Sequence, residues 1–224
     1  LLRNNYPLQA QAFDLTGKCF TKASRACNPA VTRQAQSDRM KTVTPFEQGF
    51  RWGDTLEAPL CERLNRCLGT GWLRLYFAAV SRLGNGLIWY TLLLALPFIC
   101  GYEYAALSLH MGVTALAGVL VYKLCKKLLV RERPFVTRST ITCYGMPLDR
   151  GSFPSGHTMH AVSFTIMLGS VFPASLWVML PSAASIGLSR VVLGHHYPSD
   201  VLAGALVGAA LASFSVSFLP AALP

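Results

Sequence analysis

The fold class predicted is all-α: a multi-pass transmembrane helical bundle of about five or six spans, with interfacial helices near the N-terminus. Three observations predict it. Of the 224 residues, 52% are hydrophobic and only 13% are charged, too little polar material to solvate a globule of this size. Beyond Arg82 the chain is dominated by uncharged runs, several of about the length needed to cross 30 Å of hydrocarbon. Of the 20 Lys and Arg residues, all but Arg190 gather before Gly84 and between Lys123 and Arg150, which favours one face of a membrane.

Residues 1–41 are polar, lack a sustained apolar period and read as a loosely ordered extension, with residues 42–224 forming the membrane domain. Met40 reads as the natural start and the preceding residues as an artefact of upstream translation. From Pro45 to Arg82, Phe46, Trp52, Leu56, Leu60, Leu64, Trp72 and Leu75 recur at helical spacings among Arg51, Glu57, Arg63, Arg66 and Arg74. Such charges oppose spanning, so interfacial helices are expected, and a soluble helical hairpin fits the periodicity equally.

Leu83 to Tyr102 supplies the first expected span, and Tyr104 to Tyr122, with His110 as its ionisable group, the second. Thr158 to Ser189 contains no Asp, Glu, Lys or Arg but is too long for one span. Pro173 divides it into a third and a fourth helix. The fifth runs from Val201 to about Leu219, where Gly204, Ala205, Gly208, Ala209 and Ala210 suit close helix packing in lipid. Asp200 at its start suits the helix dipole.

The net charge of +10 does not point to nucleic acid, because the aromatic residues lie within apolar runs instead of interleaving with a basic stripe. Seven cysteines without C-x-x-C spacing suggest neither a disulfide framework nor a zinc site, so mostly free thiols are expected. No cleavable secretory signal is visible at the N-terminus.

Five spans in this order put the end of the second, the start of the third, the end of the fourth and the start of the fifth on one face. Three polar segments lie at those ends: Lys126–Pro134, Pro154–His157 and Ser189–Asp200. Lys126, Arg133 and Arg190 set three cations about one point, an arrangement that self-repels unless an anion with several oxygens fills it. Phosphate suits guanidinium forks and a lysine point charge. Ser155 and Gly156 precede a helix whose first N–H groups also favour phosphate oxygens, and Gly156 permits close approach. A simple turn and helix cap is the bland alternative for these two residues.

Two histidines flank this anion site. Metal-free phosphoryl transfer requires a nucleophile on one side of phosphorus and a proton donor for the leaving oxygen on the other. His196 lies four residues before Asp200, so the carboxylate is expected to accept from one ring nitrogen and leave the other free to attack. His157 then acts as general acid. His195 lacks the offset to Asp200 and His160 lies within the third helix, so neither is assigned a role.

The spacings Lys-x6-Arg-Pro (Lys126, Arg133, Pro134), Pro-Ser-Gly-His (Pro154 to His157) and Ser-Arg-x5-His-x3-Asp (Ser189, Arg190, His196, Asp200) resemble the type 2 phosphatidic acid phosphatase superfamily. Within it, the chain is similar to the membrane lipid phosphatases of the bacterial phosphatidylglycerophosphatase B kind. The three motifs cover about a third of the chain and are specific as a set. The resemblance implies a helical core, often of six spans, with no metal or other cofactor. It implies a nucleophile at His196 oriented by Asp200, a general acid at His157, and phosphate ligands at Lys126, Arg133, Ser155, Gly156 and Arg190. Glucose-6-phosphatases and vanadium-dependent haloperoxidases share these motifs, but the spans disfavour a haloperoxidase.

The function expected is hydrolysis of a lipid phosphate or lipid pyrophosphate through a phosphohistidine, with lipid substrate and membrane lipids as partners and the oligomeric state open. Phosphatidylglycerophosphate, phosphatidate and undecaprenyl pyrophosphate all fit the motifs. The charge asymmetry places the site on the cytoplasmic face of a bacterial inner membrane by the positive-inside rule. A non-enzymatic anion or lipid transporter is the rival reading, since cations and histidines at helix ends also mark permeation paths. An interaction protein with a degenerate site is disfavoured, because no motif position is substituted.

Overall fold

A computed structural model describes residues 12–13, 19–20, 45–145 and 151–219. The expectation of an extension over residues 1–41 falls outside these, apart from β1 (Ala12–Phe13) and β2 (Cys19–Phe20), which pair antiparallel. Among the described residues the rest of the regular structure is helical: α1 (Pro45–Arg66), α2 (Gly71–Leu83), α3 (Leu87–Cys100), α4 (Ala105–Leu128), a single turn α5 (Pro134–Thr137), α6 (Gly156–Val171), α7 (Leu176–Val192) and α8 (Pro198–Val216).

The protein is an integral membrane helical bundle with α6 at its centre, touching α4, α7 and α8. Thr158, Met159, Ala161, Ser163, Phe164, Thr165, Met167 and Leu168 of α6 are all buried, so this helix has no solvent or lipid stripe. Its Phe164 stacks on Trp89 of α3 with ring centroids 4.9 Å apart, inside a core completed by Leu96, Leu107, Met111 and Ile186. The outward faces of the surrounding helices are the reverse of a soluble protein's. Leu94, Phe98, Leu109, Leu116, Leu120, Trp177, Leu202 and Leu206 are all exposed, the surface that a hydrocarbon solvent selects.

Among the described residues, three helical stretches are long and apolar enough to cross a membrane: Tyr102–Leu128, Pro173–Val192 and Pro198–Val216. Glu103 and Pro173 lie in single 3-10 turns that begin the first two. The span expected over Leu83–Tyr102 takes a different form. Its helix starts at Leu87, has only 14 residues, and meets α2 at a 52° bend. Gly84-Asn85-Gly86 makes the break, with Gly86 at φ 100°, a conformation open to glycine because it has no Cβ. Hydropathy alone ran through this hinge because it carries no charge.

α1 is more than a surface anchor. Trp52, Leu56 and Leu60 are exposed on one side, as an interfacial helix requires, while Asp54, Glu57 and Asn65 turn inward. Asn65 is fully used. Its Nδ2 donates to the carbonyls of Thr142 and Val192, both at 2.9 Å, and its Oδ1 accepts from the Thr142 N–H at 2.9 Å. A buried amide so satisfied ties α1 to the end of α7 and to the loop beside the motifs.

α8 reaches α6 through its glycines. A Cβ on Gly204 would lie 2.4 Å from the Ser155 carbonyl oxygen, and one on Gly208 would lie 2.3 Å from that of Met159. Ser163 Oγ also donates to the Gly208 carbonyl at 2.9 Å. The helices pack backbone to backbone, as small residues permit in lipid. Gly204→Ala is therefore expected to destabilise the bundle by about 1–3 kcal/mol. Gly112→Ala, where a Cβ meets nothing within 4 Å, is expected to be neutral. Thermal unfolding of both variants in one detergent checks the difference.

Candidate active site

The three motifs meet at one end of the bundle. Lys126 lies in the last turn of α4, Arg133 just before α5, Ser155 and His157 at the start of α6, Arg190 in the last turn of α7 and Asp200 in the first turn of α8. Specific contacts join these ends. The Ser155 N–H donates to the Asp200 carbonyl at 3.0 Å, and the Ser152 N–H to the Arg131 carbonyl at 2.9 Å. Arg133 Nη1 donates to the His195 carbonyl at 2.8 Å. Tyr122 bridges the first motif to the second: Lys126 Nζ stands 5.2 Å from its ring centroid, while a Cβ on Gly156 would be 3.5 Å from the same ring.

His196 owes its position to the turn after α7. Gly194, at φ 79°, reverses the chain where a Cβ would strike Ile141 at 2.8 Å. The N–H groups of both His195 and His196 then donate back to the Arg190 carbonyl, at 3.0 and 3.1 Å. Two motif residues, Arg190 and His196, are thereby locked into one unit. His196 is only 2% exposed. Burial first, and then the nearby charges of Arg133, Arg190 and Lys126, push its pKa well below the usual histidine value. The neutral imidazole, the form able to act as a nucleophile, is thus favoured.

The relation of Asp200 to His196 differs from the expected hydrogen bond. His196 Nδ1 stands 3.6 Å from Asp200 Oδ2, inside ion-pair range but beyond a hydrogen bond. The carboxylate is already engaged. Its Oδ2 accepts from the Tyr197 N–H at 2.8 Å and from the Ser152 hydroxyl, and its Oδ1 from Arg131 Nη1 at 2.5 Å. Four-residue spacing brought the pair together, while tertiary partners fixed where the carboxylate points. Nδ1 faces this carboxylate, and the backbone of Ser152 hydrogen-bonds the ring.

Arg131 lies outside the motif spacings. It is 3% exposed and forms the hub under Asp200. Its Nε and Nη2 reach Asp54 Oδ1 at 2.9 and 2.7 Å, Nη1 donates to Ser199 Oγ at 2.7 Å, and Glu57 stands 3.8 Å away. The guanidinium also lies 4.2 Å from the Tyr197 ring centroid and 5.1 Å from that of Phe50. The carboxylates around it hold its pKa up against the opposing effect of burial. A signal was present in the Arg131-Glu132-Arg133 alternation, which in extended chain sends both arginines inward and the glutamate outward.

The expected phosphate cradle at Ser155 is altered in one respect. The Ser155 amide is taken by Asp200, and its Oγ pairs with Thr158 Oγ1 at 3.0 Å. The available helix-end donors are those following it, from Gly156 onward. His195 is buried, its two ring nitrogens have no hydrogen-bond partner among the described residues, and burial pushes its pKa well down. Cys61, Cys67, Cys100, Cys125 and Cys143 are free.

Residues 106–223, more than half the chain, match the PAP2 superfamily, the type 2 phosphatases that the motifs resemble. The chain belongs to the PAP2 superfamily. It is 35% identical to undecaprenyl-diphosphatase BcrC of Bacillus subtilis (strain 168) over 106 residues, 47% of this chain and 54% of that protein. This chain thus spans about half the length of that relative. The crystal structure of Aquifex aeolicus LpxE superimposes with a TM-score of 0.62 at 25% identity, covering 73% of this chain and 96% of that one. A transmembrane PAP2-type phosphatidylglycerolphosphate phosphatase from Bacillus subtilis gives 0.58 at 20% identity, covering 76% and 94%, and shares the fold.

Proposed function

We propose that this PAP2 protein is a membrane phosphatase that hydrolyses a lipid phosphate or lipid pyrophosphate without a metal. The observation that carries the reading is the gathering of Lys126, Arg133, Arg190, His157 and His196 at one end of an apolar bundle, with His196 held beside Asp200. Three cations attract a multiply charged anion and repel a divalent metal. Lys126, Arg133, Arg190, Ser155 and the helix end at Gly156 would hold the phosphate oxygens. A ring nitrogen of His196 attacks phosphorus as the bond to the lipid oxygen breaks, and His157 gives that oxygen its proton. His157 then takes a proton from water, whose oxygen attacks phosphorus; the nitrogen–phosphorus bond breaks and inorganic phosphate leaves.

A lipid chain has a place to lie. An apolar cavity of about 400 Å³ opens between α2, α3 and α7, lined by Val80, Leu83, Trp89, Leu92, Met179 and Ile186. The reading assigns the phosphatase to residues 42–224. It puts the site on the cytoplasmic face of an inner membrane, because the connections near Glu103 and Pro173 lack the Lys and Arg that crowd the other side. The test is phosphate release by the purified protein in detergent with a strong chelator. The panel is undecaprenyl diphosphate, phosphatidate, phosphatidylglycerophosphate and a soluble sugar phosphate. Chelator-resistant release from at least one lipid, exceeding that from the sugar phosphate, is expected; dependence on added metal, or release from none of the lipids, would overturn the reading.

A further inference from the structure

The hinge between α2 and α3 belongs to no motif, yet it touches two motif side chains. Ser81, buried at the end of α2, accepts a hydrogen bond from Arg190 Nη1. Asn85, in the hinge itself, places its Oδ1 against Nε2 of His157. Gly84 makes the approach possible. A Cβ there would stand 3.3 Å from His157 Cδ2 and 3.3 Å from Ile186 Cγ2, so the hinge backbone lies directly on the Cδ2–Nε2 edge of the imidazole.

We propose that Asn85 is a positioning residue for His157, accepting from its Nε2–H so that the proton given to the leaving lipid oxygen comes from Nδ1. The proposal rests on the reading of His157 as general acid. An amide oxygen suits the task. It fixes the ring's rotation and tautomer as a carboxylate would, but carries no full charge to stabilise the imidazolium and weaken it as an acid. In the transfer, the Nδ1–H bond breaks as the leaving oxygen gains the proton, and the ring is left neutral with Nε2–H still donating to Asn85. The hinge also borders the apolar cavity, through Val80, Leu83 and Ile88, so Asn85 stands where a lipid's chain would meet its phosphate.

Asn85 is exposed, so its replacement leaves the core packing intact. The test compares dodecyl phosphate, whose alkoxide must be protonated to leave, with p-nitrophenyl phosphate, whose phenolate need not be. Asn85→Ala is expected to lower kcat on the alkyl ester about 10–100-fold, as loss of a partner that orients a catalytic ring does. The loss on the aryl ester should be only a few-fold, and vanadate inhibition should be unchanged, since the cations and His196 are intact. Asn85→Asp should move the alkaline limb of kcat to higher pH, because a carboxylate keeps His157 protonated longer. Equal losses on both esters, or weakened vanadate binding, would overturn the proposal. His157→Ala in the same assays separates the two readings. If it shows no leaving-group dependence, the general-acid reading falls and this proposal with it; if it does and Asn85→Ala does not, the hinge proposal alone falls.

Discussion

His196→Ala is expected to lower phosphate release by at least about 10⁴-fold while the protein remains folded, because the variant lacks the group proposed to take up the phosphoryl. Phosphate release in detergent, with circular dichroism to verify folding, measures both. Substantial turnover in the variant would remove His196 from the role of nucleophile. The same variant tests the physical state of the side chain. Burial and three cations depress the His196 pKa, so below about 6.5 the unfolded chain takes a proton that the folded one refuses. The contribution of this group to stability is therefore complete above that pH and is lost as pH falls through it. His196→Ala should unfold less steeply with acid than the native protein does.

Arg131→Met is expected to cost about 3–5 kcal/mol of stability, the range for removing one partner of a buried charge network. Asp200, with no exposed side-chain surface, would lose its 2.5 Å contact, and Asp54 both of its own. Activity should fall as well, since Asp200 would reorient beside His196. Adding Asp54→Asn removes one stranded charge and should restore part of the loss, a coupling that a double-mutant cycle measures. Thermal or urea unfolding in mild detergent is the direct assay. An Arg131→Met protein as stable as the native one would mean that the network does not support the site.

The contrast between these two residues shows what could be read from the chain. His196 was legible because its partners are local: Arg190 lies six residues before it and Asp200 four after, all within one motif. Arg131 was not, because Asp54 and Glu57 lie more than 70 residues away on a helix whose apolar face drew attention to the membrane instead. Asn85 was hidden for a related reason. An uncharged residue between two glycines at the edge of an apolar run looks like part of that run, and nothing local says that it will meet His157, 72 residues on.

By itself the sequence determined the solvent, the helical class and the family. Apolar composition admits only hydrogen-bond-satisfied segments in lipid, and Lys126, Arg133, His157, Arg190, His196 and Asp200 sit in spacings that few other chemistries use. Tertiary structure alone decided which atoms point at which. It bent the first expected span at Gly84–Gly86, turned α1's carboxylates onto Arg131, gave Asp200 to Arg131, Ser152 and Tyr197 ahead of His196, and set Asn85 on His157. The physical reason is range. Periodicity and motif spacing encode contacts within a few turns, whereas a buried charge takes its partners from whichever helices packing brings alongside.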